Sequence, residues 1–196
     1  MCLRTRDVRE LISFTFPDVA RHYMDVDFLR SRAILTPLNE NVDEINSKVV
    51  EQFPGDACTF YSADSVVERD GSDVYPIEFL NSLQPSGCPP HRLVLKVGMI
   101  VMLLRSIAYN FQLQRVQFPI RAAFAMTINK AQGQTMETIG LYLPRPVFSH
   151  GQLYVALSRV RNVGSVRVLI IDIDGRFTDV AGVARCTQNI VYSEAL

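Results

Sequence analysis

No apolar run in this sequence approaches the roughly 18–20 residues needed to cross a bilayer. The longest, Val97 to Leu104, is strand length and contains a glycine. The N-terminus mixes Arg4, Arg6 and Arg9 with Asp7 and Glu10 and has no apolar signal core. Both absences argue against a secreted or membrane protein. The four cysteines, Cys2, Cys58, Cys88 and Cys186, form no Cys-x-x-Cys pair. That spacing signals neither a zinc site nor a disulfide framework and suits reduced thiols in an intracellular protein. No G-x-x-x-x-G-K-[ST] phosphate loop occurs. No apolar strand ends in Asp-Glu to hold magnesium; Asp172 and Asp174 follow a strand but have no phosphate loop to work with. The chain alone therefore lacks the parts that hold and hydrolyse a magnesium nucleotide.

Carboxylates are also missing from one long stretch. Between Arg92 and Met136 there is no acid, while Arg92, Lys96, Arg105, Arg115, Arg121 and Lys130 supply six bases. Between Leu38 and Ser82 the balance reverses, with ten acids and two bases, so the net charge is zero but uneven. The acid-free stretch could line a polyanion site. Its bases could equally lie on different faces and only solubilise the fold. With 48% of 196 residues apolar, the length suits one domain carrying short appendages.

Residues 1–31 read as a helical and loop-like appendage, with Val8, Leu11 and Ile12 at helical spacing and Pro17 as a breaker. Arg32 to Pro37 reads as a short buried strand. A helix follows, capped by Asn39 or Asn41, with Val42, Ile45 and Val49 on one face. Residues 51–92 are acidic and rich in turn formers, and predict a surface excursion rather than a second domain. Leu93 to Leu104 predicts strand, broken near Gly98. Ala122 to Met126 leads into the polar segment 127–135. Ile139 to Leu143 is a strand, Ser149 caps a helix striped by Leu153, Ala156, Leu157 and Val160, and Val166 to Ile171 is a last strand before a peripheral tail, 172–196. Strands alternating with helices predict a parallel α/β sheet with helices on both faces. Ligands of such sheets sit beyond the carboxyl ends of the strands.

Two polar segments fall at that place. Thr127, Asn129, Lys130, Gln132 and Gln134 crowd donors around Gly133, which suits phosphate oxygens of a nucleotide or a nucleic-acid backbone. The bland alternative is a solvated helix start capped by Thr127. Arg159 lies beside the apolar stripe of the 149–160 helix, where a rigid guanidinium could stabilise a transferring phosphoryl group. It could also snorkel, or pair with a carboxylate. His150 can cap or bond locally; His22 and His91, the other histidines, give it no ligand set for a metal.

Ala122 to Thr135 (AAFAMTINKAQGQT) and Phe148 to Val160 (FSHGQLYVALSRV) resemble motifs V and VI of the petite-integration-frequency DNA helicases, in the branch carried by Helitron transposons. Arg32 to Asn46 resembles motif IV. Tyr75 to Asn81, Pro89 to His91 and Leu95 to Gly98 also match the branch. The resemblance covers about residues 30–171.

It implies the second RecA-like domain, 32–171, of a superfamily 1 ATP-dependent helicase moving five-prime to three-prime on single-stranded DNA. ATP and Mg2+ are the implied cofactors, with the magnesium ligands outside this chain. By that carry-over Arg159 is the catalytic arginine reaching the γ-phosphate, and Gly133 and Gln134 lie near the nucleotide. Thr36, Pro37, Thr127, Asn129 and Lys130 meet single-stranded DNA. Asn129 stands where many relatives carry histidine. The implied setting is intracellular, the nucleus ahead of the mitochondrion, in DNA repair, recombination or telomere maintenance. Two departures accompany the match. The first RecA-like domain, with its phosphate loop, is expected to come in trans or not at all. A family insertion with a small barrel is expected to be deleted, bridged only by residues 106–110. The alternatives to a helicase module are a non-enzymatic single-stranded nucleic-acid binder and a decayed transposon remnant.

Overall fold

In a computed structural model, the structure describes residues 3–5, 7–66, 75–85, 87–104 and 113–171. The expected bridge at 106–110, Arg105, and the tail from 172 lie outside them. In chain order the N-terminal part forms β1 (Leu3–Arg4), α1 (Val8–Thr15), α2 (Val19–His22), α3 (Val26–Arg30), β2 (Arg32–Thr36) and α4 (Glu40–Gln52). Then come β3 (Cys58–Tyr61), β4 (Ala63–Val66), α5 (Ile77–Ser82), β5 (Arg92–Leu95), β6 (Val101–Leu103), β7 (Leu113–Val116) and β8 (Ile120–Ala122). The chain continues through β9 (Ala125–Thr127), a 3-10 turn (Ile128–Ala131), β10 (Thr138–Leu143), α6 (Gln152–Leu157), a second 3-10 turn (Val163–Ser165) and β11 (Val166–Ile170). It divides into two compact units, one made of Met1–Phe53 with Ala123–Leu196 and the other of Pro54–Ala122.

The first unit is built on a five-stranded sheet in the order β1-β11-β10-β2-β9, and every pairing is parallel. Successive side chains of a strand face opposite ways. From Ile139 to Leu143 every residue of β10 is buried, so both faces of the central strand are covered. That is the burial a parallel α/β sheet requires.

Helix α1 starts at Asp7, whose side chain accepts a hydrogen bond from Glu10 N at 2.8 Å. Its buried Leu11, Ile12 and Thr15 lie on β10 and β11. Gly140 permits that approach: a Cβ built there would stand 2.6 Å from Thr15 Oγ1 and 3.0 Å from Leu11 Cγ. Residues 1–31 are therefore no appendage, as β1 extends the sheet and α1 covers it. A two-residue strand has too little length for periodicity to reveal it.

Helix α4 buries Val42, Ile45 and Val49 as the sequence predicts, and Asn46 with them. Asn39 holds its N-cap position without a side-chain bond. Asn46 Oδ1 accepts from Ala125 N at 2.8 Å, and its Nδ2 donates to Ala125 O at 3.3 Å. Strand β9 is the sheet edge, and this amide bonds the same backbone groups a further strand would. Phe124, just before β9, packs edge-on against Phe16 at 5.6 Å and against Phe53 at 5.0 Å.

The second unit contradicts the predicted surface excursion over 51–92. Its described strands form three antiparallel two-stranded ladders, β3 with β5, β4 with β7, and β6 with β8. Gly98, at φ +87, makes the predicted break between β5 and β6. At the centre Arg115 pairs with Asp64, their side chains 2% and 0% exposed. Arg115 Nε donates to Asp64 Oδ1 at 2.8 Å and Nη2 to Oδ2. Nη1 donates to Leu83 O and Pro89 O, both at 3.1 Å, and Nη2 also to Leu80 O at 3.0 Å. All five guanidinium donors are thereby used. Burial alone would raise the Asp64 pKa; hydrogen bonds from Arg115 and Ser62, with the Arg115 charge, outweigh it and hold it below the ordinary carboxylate value.

This withdraws Arg115 from the bases that could meet a polyanion in residues 92–136. Arg115 is committed inside the second unit, Arg92, Lys96 and Arg121 belong to that unit, and Lys130 belongs to the first.

Two outcomes follow from this packing. Gly140→Ala should lower stability by about 1–3 kcal/mol through overpacking under α1, read as a drop in the thermal midpoint. Gly164→Ala, whose added carbon would meet only the Asn162 side chain, Oδ1 at 3.4 Å and Cγ at 4.0 Å, should change it far less. For Asp64, a depressed folded pKa means its contribution is complete above the ordinary carboxylate range and is lost as pH falls through the lowered value. Acid titration monitored in the second unit should therefore show unfolding at low pH. Asp64→Asn should remove that acid limb while costing about 3–5 kcal/mol at neutral pH, because it leaves Arg115 buried and uncompensated.

Candidate functional site at the carboxyl ends of the strands

Strands β2 and β9 run side by side and end level, with Thr36 opposite Thr127. Pro37 stops β2 because it has no N–H for the ladder. Thr36 and Pro37 are buried, and Thr36 Oγ1 has no hydrogen-bond partner. Thr127 is also buried, so these three expected DNA contacts form the floor of the rim rather than its surface.

After Thr127 the chain enters its 3-10 turn. Ile128 and Ala131 are fully buried and anchor it, which leaves Asn129 and Lys130 exposed between them. Thr127 caps the turn without a side-chain bond. Gln134 N donates to Ala131 O at 3.1 Å, closing a reversal at Gly133, whose φ is +81. Only glycine adopts that conformation without strain. Open space surrounds the position where a Gly133 Cβ would lie, and Gln134 is exposed.

The 149–160 segment folds as a shorter helix than the sequence predicts. Gly151, at φ +68, takes the N-cap position expected for Ser149. Ser149 contributes its carbonyl, accepting from Gln152 N at 3.3 Å. Of the predicted stripe Ala156 is fully buried and Leu157 is exposed. Gln152, which the sequence reading passed over, is buried; its Oε1 accepts from Phe148 N at 3.1 Å, and its Nε2 has no partner.

Arg159 joins the two segments. Its Nε donates to Val155 O at 2.8 Å and its Nη2 to Ser158 Oγ at 2.8 Å. Nη1 reaches across to Gln134 O at 3.0 Å and Ala131 O at 3.3 Å. The Arg159 carbonyl accepts from Met136 N at 2.8 Å. All four side-chain acceptors are neutral oxygens. The guanidinium thus neither snorkels freely nor pairs with a carboxylate, the two bland alternatives raised by the sequence.

The structure therefore brings Thr36, Pro37 and Thr127 together at adjacent strand ends. It brings Gly133 and Gln134 to Arg159, with Asn129 and Lys130 exposed on the turn between. Sequence reasoning missed Asn46, which fixes the strand that delivers this turn; its only signal was an amide inside an otherwise apolar helix face. Among the described residues no group of three metal-binding side chains exists. With no phosphate loop in the sequence, these residues suit one contact to a phosphate and not the cradle of a magnesium nucleotide.

Residues 78–112 match the family model described as DNA helicase Pif1, 2B domain. ATP-dependent DNA helicase PIF1 of Rattus norvegicus is 28% identical over 193 residues, covering 73% of this chain and 28% of that protein. The Homo sapiens protein of that name is 48% identical over 60 residues, 31% of this chain and 9% of the relative. A crystal structure of Pif1 helicase from Candida albicans superposes with a TM-score of 0.54 at 20% identity, covering 83% of this chain and 48% of that one. This likeness supports the RecA-like α/β fold of the sheet. The chain spans less than a third of the rat relative and about half of the Candida chain.

The match at 78–112 puts sequence similar to the 2B domain within the second unit. The aligned stretch of the rat protein is longer than the part of this chain it covers, so that relative carries residues without a counterpart here. By the 2B match, the aligned relatives and the shared sheet, the chain is similar to a part of the Pif1 DNA helicases.

Proposed function

We propose that this chain is the second RecA-like motor domain of a superfamily 1 helicase that uses ATP to move five-prime to three-prime along single-stranded DNA. The observation that carries the reading is the meeting of two polar segments through Arg159, beyond the carboxyl ends of a parallel sheet. Open α/β sheets bind their ligands there. The relatives' name, ATP-dependent DNA helicase, supplies the activity.

In this reading Asn129 and Lys130 are the surface donors to the DNA backbone. Thr127, Thr36 and Pro37 lie beneath them and set the level of the track. Gly133 and Gln134 lie on the nucleotide side of the turn, and Arg159 is the catalytic arginine directed to the γ-phosphate. A first RecA-like domain supplies the phosphate loop and the magnesium carboxylates, either from a longer chain or in trans. The Helitron branch, and action in the nucleus ahead of the mitochondrion, complete the proposal. Binding of single-stranded DNA without turnover is the second reading. The exposed Asn129 and Lys130 favour it, since that role needs no nucleotide cradle.

Fluorescence anisotropy with a labelled single strand tests the DNA arm. The chain should bind at low salt, with affinity falling as salt rises. Lys130→Ala should weaken binding roughly 3- to 10-fold and reduce the salt slope by about one. Absence of measurable binding at low salt would sink the DNA assignment. For the nucleotide arm, the purified chain should show no DNA-stimulated ATP hydrolysis. Turnover that disappears on Arg159→Ala would overturn the need for a second domain.

A further inference from the structure

A guanidinium waiting to act on a partner domain's nucleotide would be expected to stand free at the rim. Arg159 does not. Four of its five N–H groups are already donated, to Val155 O, Ser158 Oγ, Gln134 O and Ala131 O. Two of those acceptors belong to the turn that carries Gly133 and follows Asn129 and Lys130. Carbonyls at the end of a 3-10 turn have few partners within the turn itself. Gln134 O accepts from Nη1, and Ala131 O, which already accepts from Gln134 N, takes a second bond from the same atom.

We infer that Arg159 is the positioning residue of the 131–136 turn, and that it thereby sets how well the preceding Asn129 and Lys130 meet a DNA backbone. The inference deepens the helicase reading above and rests on it for the DNA part. Its physical content is a shared side chain. A fork that grips a phosphate through two N–H groups must break at least one existing bond, because only one donor is uncommitted. The side chain read as reaching the nucleotide is thus the same one that shapes the DNA-facing turn. Ser158 is the second positioning group, as its hydroxyl holds Nη2 and donates in turn to Val155 O at 3.1 Å.

Lysine keeps the charge but cannot span Val155 O, Ser158 Oγ and both turn carbonyls at once. Amide hydrogen exchange on the full chain therefore separates the possibilities, comparing the wild type with Arg159→Lys and Arg159→Gln. Exchange at residues 131–136 should accelerate about tenfold in both variants. Exchange in β10 and the thermal midpoint should stay as in the wild type. Unchanged exchange at 131–136 overturns the positioning role, as does acceleration of every segment together, which would mark a general loss of stability.

Anisotropy on the same proteins, without nucleotide, reads the DNA part. Arg159→Lys should lose severalfold in single-strand affinity. Equal affinity in variant and wild type overturns the link to DNA even where the turn has loosened. If the wild type binds no DNA, the helicase reading fails at that point and the link to DNA falls with it. The exchange measurement still decides whether Arg159 holds the turn.

Discussion

A parallel sheet has to bury both of its faces, and in this chain that requirement converges on β10. Its five residues from Ile139 to Leu143 are buried in succession, so no side of the strand is left to water. Gly140 is where the requirement is tightest, since α1 approaches until Thr15 Oγ1 occupies the space of a missing Cβ. Everything functional in the first unit depends on this packing. Parallel neighbours point the same way, so fixing β10 and β2 fixes where their carboxyl ends lie. Strand β9 is then held between β2 on one side and the Asn46 amide on the other. The turn carrying Asn129 and Lys130 starts from a strand paired on one edge and held at Ala125 on the other.

The second unit solves a different problem by different means. Its described ladders are two-stranded and short, and isolated two-stranded ribbons are marginal in water. Several of its large apolar side chains are exposed, among them Tyr61, Leu103 and Val116. Beside the buried Leu80, Leu93, Leu104 and Leu113, Arg115 joins β7 to Asp64 on β4 and to the carbonyls of Leu80, Leu83 and Pro89. A buried ion pair of this kind is weak evidence of net stabilisation against an apolar core. It is strong evidence of register, because no other placement of the strands gives the guanidinium its five acceptors.

The legibility of the chain follows the range of the interactions concerned. Strands β2, β10 and β11 are runs of β-branched and aliphatic residues, and their bounds are close to those read from the sequence. The break at Gly98 is equally local. What failed were features made by distant partners. Strand β1 is too short to show a pattern and exists through Val168 and Arg167. The second unit pairs Cys58 with Leu95 and Ala63 with Val116, without the tight two-residue turns that announce hairpins. Arg115 read as one more base in an acid-free stretch because its carboxylate is 51 residues away. At the candidate site the donor-rich segments and Arg159 were visible from residue type. The bonds joining them were not, since backbone carbonyls carry no sequence signature.

Two arginines, each close to saturated with hydrogen bonds, show what separates a structural group from an exchangeable one. Arg115 is 2% exposed and bonded in parallel to a carboxylate, so removing either partner strands a charge in a dry interior. No competing anion reaches it. Arg159 is only part-buried, and its acceptors are three carbonyls and a hydroxyl. Hydrogen bonds from a charged donor to neutral oxygens contribute about 1.5–3 kcal/mol each at most, and less where water competes. A phosphate offers charged oxygens in a geometry that matches the guanidinium fork, which adds ion-pair attraction that the neutral oxygens lack. The balance at Arg159 can therefore be tipped by an arriving anion, whereas the balance at Arg115 cannot. Counting the hydrogen bonds alone would rank the two residues together. The charge of the acceptors and the access of water set them apart, and they make Arg159 the more exchangeable of the two.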